Sequence, residues 1–259
     1  MRFCSRNIPP LLVLVLVLAL TGCASQPVMQ DGIAINDPYE PANRRVHAFN
    51  KSVDARLIGP LTRGLPGGAG EGRGTVAVAN VGANLSLPGK VVNSLLQGRP
   101  GPAIRNGFRF AVNSTIGLGG LLDPAGQGFG LPEEDTDFGQ TLAIWGMGEG
   151  AYLELPLLGP STQRDAAGKL GDLALDPLNH LLSTPQALTA LWLRAAGKVA
   201  QRSRFGDTVD SVLQGSADSY AQTRLIWLMH RRHELNEEQD AIDPYDNMAG
   251  DSVIDPWQD

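Results

Sequence analysis

Glycine and proline break this chain so often that they set the length of almost every element it can build. The 259 residues contain 31 glycines and 18 prolines, well above the roughly 12% that the two supply in an average protein and below the roughly 25–30% of low-complexity chains. Apolar residues make up 42%, enough to build a folded protein. Between the breaks they recur at three- and four-residue spacing, the signature of helices with one apolar side. The chain therefore reads as all-α: short, interrupted amphipathic helices joined by Gly/Pro-rich loops.

Asp37-Pro38 reads as an N-cap followed by proline at the first helical position. Ala42, Val46, Phe49, Val53 and Leu57 then line one face of a helix that ends near Gly59-Pro60. The loop Gly64–Gly74 narrowly misses G-x-G-x-x-G, since Thr75 takes the sixth place from Gly70 and no strand precedes it. Val78, Val81 and Leu85 predict a helix over 75–87, and Pro88 restarts the chain before a short face of Val91, Val92, Leu95 and Leu96. The strongest helical pattern is 102–116, with Ile104, Phe108, Ala111, Val112 and Ile116 on one side. Gly117, Gly119 and Gly120 end it. Residues 121–136 read as loop, and Asp137 as the cap of a short helix carrying Phe138, Leu142 and Trp145. Residues 152–158 are extended. Helices resume at 161–173, at 185–204 through Leu188, Leu191, Ala195 and Val199, and at 216–235. Residues 236–259, part of a stretch rich in Asp and Glu without Lys or Arg, read as a disordered acidic tail.

The N-terminus carries an export signal. Arg2 and Arg6 precede an apolar run of ten residues, Leu11–Leu20, half the ~20 needed to span a bilayer. Leu20-Thr21-Gly22-Cys23 resembles the bacterial lipobox, so residues 1–22 are expected to be cleaved and Cys23 to be acylated. Residues 23–36 then form a tether. Each buried CH2 of an acyl chain contributes ~0.8 kcal/mol, so two or three chains anchor permanently. Ala24, after the lipid-bearing residue, matches the pattern that sorts to the outer membrane. The only cysteines are Cys4 and Cys23, which excludes a disulfide in the mature chain.

The net charge of −6, more negative once the two leader arginines are gone, argues against nucleic acid and against adhesion to anionic headgroups. After the leader no helix is apolar for a spanning length. His230 and His233 sit at i, i+3 beside Arg231 and Arg232 and read as a solvated basic face, so no metal and no cofactor is expected. G-x-S-x-G, S-x-x-K and H-E-x-x-H are missing, His47 and His180 have no nucleophile partner in sequence, and the clustered loop acids Glu133, Glu134, Asp135 and Asp137 read as solvated. The chain is not read as an enzyme.

Four ordered stretches resemble one family, the VacJ/MlaA lipoproteins. The first runs Asp37-Pro38-Tyr39-Glu40-Pro41-Ala42-Asn43-Arg44-Arg45-Val46 and closes with Phe49-Asn50. The second is Val92-Asn93-Ser94-Leu95-Leu96-Gln97-Gly98, and the third runs from Arg109-Phe110 through Asn113 to Asp123. The fourth is Asp137-Phe138-Gly139-Gln140-Thr141-Leu142, continuing through 152–161 to Arg164-Asp165. His47 stands where an aromatic is usual. The resemblance implies a single ring-like, membrane-inserted helical domain over 37–235, lying in the inner leaflet around a central channel. It implies passage of stray phospholipid from the outer leaflet to a soluble periplasmic carrier, in company with a trimeric porin. Helix residues Asn43, Phe49 and Asn50 belong to its opening motif, and Gly117, Gly119, Gly120, Phe138, Gly139 and Gln140 become candidates for channel or lid. The competing reading is a scaffold lipoprotein that holds porins without passing lipid. Short amphipathic helices with apolar outer and polar inner faces suit such a ring.

Overall fold

A computed structural model describes residues 28–30, 33–60, 72–202 and 206–242. The leader, Cys23, most of the glycine-rich loop at 64–74 and the tail beyond Ile242 lie outside them. Two short antiparallel strands, β1 (Val28–Gln30) and β2 (Ile33–Ile35), precede α1 (Glu40–Val53), which passes into a π-helical turn at Asp54–Ile58. The long helices α2 (Arg73–Leu96) and α3 (Pro100–Thr115) follow, then the single turn α4 (Pro124–Gln127) and the short α5 (Phe138–Ile144). A hairpin of β3 (Tyr152–Leu155) and β4 (Gly159–Thr162) leads into α6 (Gln163–Leu175) and α7 (Pro177–Leu181). The chain continues through α8 (Thr184–Arg202), α9 (Gly206–Gly215) and α10 (Ser219–Ile242). Helices dominate, as the spacing of apolar residues predicts.

Several boundaries differ from the sequence reading, each for a physical reason. Tyr39, not Asp37, precedes the first turn of α1, because the Asp37 carboxylate is taken by Arg224, Tyr220 and Asn43. Pro88 does not restart the chain but sits inside α2. It leaves the Asn84 carbonyl without its helical donor, and the packing of α3 and α8 along α2 holds the helix through that gap. Strand β2 falls within the stretch expected to be tether, and its Ile35 is buried with Tyr152, Tyr220 and Leu228. Helix α10 continues past the expected boundary at 235 into the acidic segment. Glu, Gln and Ala there are good helix formers, and adding residues to an existing helix needs no new nucleus.

The apolar faces point outwards. On α3, Ile104 is 73% exposed, Ile116 65% and Phe108 48%, while the buried side is Ala103, Asn106, Arg109, Val112 and Asn113. Helix α1 buries Asn43 and His47 and exposes Phe49. Helix α8 exposes Leu188, Leu191 and Trp192 and buries Ala190 and Ala200. Among the described residues, buried polar and charged side chains outnumber buried apolar ones. A water-soluble helical domain has the opposite polarity.

Such an interior is held by close backbone contact and by hydrogen bonds. A Cβ on Gly82 of α2 would lie 2.8 Å from the Gly197 Cα of α8, so these helices touch backbone to backbone. Near this crossing the Arg194 guanidinium donates to the Leu85 carbonyl, at 3.0 Å from Nε, and pairs with Asp176. Helices α5 and α6 meet in the same way through Gly139 and Gly168. There Asp137 caps α5, as the sequence pattern predicts, and Gln140 closes a capping box with it.

Candidate functional site

A cleft of about 630 Å3 opens between α2, α3, the 121–136 loop and the end of α8. Its walls include Asn80, Ala83, Arg109, Asp123, Gly130, Leu131, Pro132, Glu133 and Gln201. One polar stripe of α3 builds the loop side. Asn106 donates to the Glu134 carbonyl (2.9 Å) and accepts from its amide (3.2 Å). One turn on, Arg109 grips Asp123 at 3.1 and 3.2 Å and donates to the Leu131 carbonyl. Asn113 donates to Asp123 (2.8 Å) and accepts from the Ala125 amide (3.1 Å). Three side chains at helical spacing thus fasten the loop along most of its length.

The charges of the cleft are compensated unevenly. Burial pushes the Asp123 carboxyl up, but donors on Asn113, the Gly126 amide and Arg109 outweigh it and hold the group below its ordinary value. Lys90 pairs with Glu133 and, at 2.6 Å, with Asp135. Burial alone would lower the Lys90 ammonium, and these two carboxylates raise it instead. The Arg109 Nε, fully buried, has no hydrogen-bond acceptor.

The residues singled out in the sequence fall into three places. Gly117 is buried at the end of α3, Gly119 is exposed, and Gly120 packs on Asn84 with a φ of +92° that other residues rarely adopt. Phe138 packs against Gly171 and lies edge-on to Trp145, with ring centroids 5.7 Å apart. Gly139 adjoins Asp165 and Gly168, and Gln140 completes the capping box. These three make the α5–α6 seam, and the cleft walls are other residues. Asn43 and Asn50 tie α1 to the β3–β4 hairpin. Asn43 donates to the Tyr152 carbonyl (3.1 Å), and Asn50 donates to the Leu155 carbonyl (2.9 Å) and accepts from the Leu157 amide (2.8 Å). Phe49 faces outwards. The sequence reading passed over Asn80 and Gln201, named Arg109 only within a family stretch, and took Glu133 for a solvated acid. The signal available was the polar stripe 106, 109, 113 opposite the apolar face of α3.

The MlaA lipoprotein family matches residues 35–234, most of the chain. The chain belongs to that family. It is 31% identical over 247 residues to the intermembrane phospholipid transport system lipoprotein MlaA of Shigella flexneri, covering 93% of each chain. The Escherichia coli protein of the same description is 30% identical over the same length and coverage. A protein of Rickettsia bellii, named only as uncharacterized, is 34% identical over 203 residues, 78% of this chain and 77% of its own. A solved structure described as the structural basis for maintenance of bacterial outer membrane lipid asymmetry superposes with a TM-score of 0.62 at 29% identity. That likeness covers 75% of this chain and 96% of the other.

His47 lies between Glu154 (Nδ1 to Oε1, 3.3 Å) and Ser219 (Nε2 to Oγ, 3.2 Å). A Ser–His–carboxylate line invites comparison with a nucleophile relay. The surroundings oppose it. Glu154 also accepts from Tyr152 (2.6 Å) and Asn50 (3.3 Å). At the start of α10, where an oxyanion would need free amides, the Asp218 side chain already accepts from the Ala221 amide (3.1 Å). None of these residues lines the cleft. His47 braces α1 against the hairpin and α10.

Asp172 marks an electrostatic weak point of the MlaA-type interior. Burial pushes its carboxyl up to about 6, against hydrogen bonds from Asn93 (2.7 Å) and the Phe138 amide (3.0 Å). A carboxyl whose folded value is raised stabilises the fold below its unfolded value, near 4, and that contribution is lost as pH rises through about 6. Asp172→Asn keeps the shape and an acceptor and never charges. We expect it to raise stability at pH 8 by about 2 kcal/mol, with the gain gone below pH 4. Denaturant titrations at the two pH values check this; a variant no more stable at pH 8 would contradict it.

Proposed function

We propose that this chain is an outer-membrane lipoprotein that takes phospholipid mislocalised in the outer leaflet and passes it inwards, maintaining lipid asymmetry. The observation that carries this reading is the reversed polarity of the helices. Leu, Ile, Phe and Trp side chains face outwards from α3 and α8, and Asn, Asp and Arg lie within. Apolar surface on that scale marks contact with lipid or partner, and a polar interior offers a headgroup an alternative to bare hydrocarbon. No described helix is long and apolar enough to cross a membrane. In this proposal the domain therefore lies in the inner leaflet as a ring, held by acyl chains on Cys23, beside a trimeric porin.

The loop at 121–136, fastened by Asn106, Arg109 and Asn113, serves in this reading as a fixed channel wall. Gly117, Gly119 and Gly120 shape its entry, and Phe138, Gly139 and Gln140 support it from behind. Lipid moves passively to a soluble periplasmic carrier, since the chain carries no nucleotide-binding motif. The relatives' names and the cleft favour passage over a scaffold role.

A strain lacking the chain should accumulate phospholipid on its surface, and restoring the gene should remove it. The Cys23→Ser chain should fold, leave the outer membrane and fail to restore asymmetry, because only the acyl chains make residence permanent. Surface phospholipid is measured by labelling intact cells. Unchanged surface phospholipid in the deletion strain would refute lipid passage, and full complementation by Cys23→Ser would refute the anchor.

A further inference from the structure

The cleft beside α3 carries charge of both signs, and its groups are not equally satisfied. Its walls hold two carboxylates, Asp123 and Glu133, and one guanidinium, Arg109. Asp123 is closed off by Arg109, Asn113 and the Gly126 amide. Glu133 has its Oε1 on Lys90, and its side chain remains 27% exposed. Arg109 is 95% buried and spends its two terminal nitrogens on Asp123 and Leu131, while its Nε–H lacks an acceptor. The sealed Nε is out of a ligand's reach, but each terminal nitrogen carries a second N–H, so Arg109, which lines the cleft, offers donors to an anion and Glu133 offers a carboxylate to a cation.

We infer that this cleft is a headgroup station for zwitterionic phospholipid, in which a phosphodiester oxygen accepts from Arg109 and a primary ammonium is held by Glu133. The inference rests on the lipid-passage reading above and adds to it which headgroup is preferred. A cavity of about 630 Å3 is within the usual range for small-molecule sites, roughly 300–1,000 Å3, and accommodates a glycerophosphoethanolamine head. A headgroup ending in hydroxyls supplies the phosphate without the cation, so Glu133 keeps only its bond to Lys90. Charge-assisted hydrogen bonds are about twice as strong as neutral ones, so the ammonium is the feature that separates the two classes.

The test uses the full-length acylated chain with a photo-reactive residue in place of Pro132, an exposed part of the cleft wall. The chain is presented with vesicles of equal phosphatidylethanolamine and phosphatidylglycerol, and the crosslinked lipid is identified by mass spectrometry. The otherwise unaltered chain should capture the ethanolamine lipid roughly tenfold over the glycerol lipid, the scale of one charge-assisted bond. Glu133→Gln should bring the ratio close to one. Gln201→Lys, which adds a cation at an exposed wall position without touching packed groups, should tilt it towards the glycerol lipid. Glycerophosphoethanolamine at the lipid's concentration should not compete, since it lacks the acyl chains; effective competition would assign the cleft to a soluble phosphodiester and overturn the lipid assignment. Capture of both lipids without bias, or a bias that neither variant moves, overturns the inference and leaves lipid passage standing. Capture of neither lipid overturns this inference whatever the surface-phospholipid assay says.

Discussion

Replacing Arg231 with methionine should lower the unfolding temperature of the protein by about 10 °C or more. Arg231 reaches from α10 to the N-terminal ends of two other helices. Its guanidinium donates to Asp137 at 2.7 Å, to Asp165 at 2.9 Å and, through Nε, to Asp165 again at 3.3 Å. Asp137 caps α5, and Asp165 lies in the first turn of α6, where Thr162 is the cap. Arg231 and Asp165 are 9% and 4% exposed at the side chain. Removing one partner of a buried pair costs about 3–5 kcal/mol, because the other charge stays buried without it. That is a large share of the roughly 5–15 kcal/mol by which a domain is stable. Burial pushes the Asp165 carboxyl up, but the charge of Arg231 and its hydrogen bond prevail and hold it below its ordinary value. The stabilisation is thus present above the unfolded carboxyl value and is lost as acid takes the pH down through the folded one. Thermal unfolding followed by circular dichroism should show a drop of more than 10 °C for Arg231→Met at pH 7. Asp165 keeps Arg164, whose Nε lies 3.5 Å away, so the loss reads the contacts of Arg231 itself. A drop of a degree or two would mean that these groups are solvated.

The spacing of apolar residues located nearly every long helix, because a 3.6-residue period depends only on neighbours along the chain. It could not say which way each face would turn. Ile104, Phe108 and Ile116 share a side by periodicity alone, and the outward direction of that side came from the family resemblance. Pro88 was misread because the local rule is sound and the force that overrides it is not local: α3 and α8 clamp α2 from residues far along the chain. Strand β2 was missed because Ile33–Ile35 is too short to show a period, and its burial depends on Tyr152 and Tyr220, more than a hundred residues away. The cap at Asp137 was legible because an acidic residue directly before a short apolar period is a local signal. The cleft was not. Asn80, Arg109, Glu133 and Gln201 come from four separate segments, and only the crossing of α2 with α8 and the folding of the loop onto α3 bring them together.

The outward polarity of α3 yields a prediction on which a soluble and a membrane-lying protein differ in sign. Changing Ile104 and Phe108 together to aspartate would be ruinous if that face packed into a core, since two unpaired charges would be buried. Ile104 is 73% exposed and Phe108 48%, and the Phe108 ring lies edge-on to the exposed Phe129 ring, with 6.0 Å between centroids. The double variant should therefore fold, with its unfolding midpoint within a few degrees of the unaltered chain. Its affinity for lipid should fall instead. An Ile or Phe side chain withdrawn from an apolar phase forfeits about 1.5–3 kcal/mol, and a carboxylate placed at that depth adds a further penalty. Measured in the Cys23→Ser background, where no acyl chain masks the contribution of the protein surface, vesicle binding should drop by roughly a hundredfold or more. Flotation of the chain with liposomes over a range of lipid concentrations reads this directly. An unfolded variant would place the α3 face against protein, and a folded variant with undiminished flotation would place it in water. Either result would remove the reversed polarity from the case for a ring lying in the leaflet.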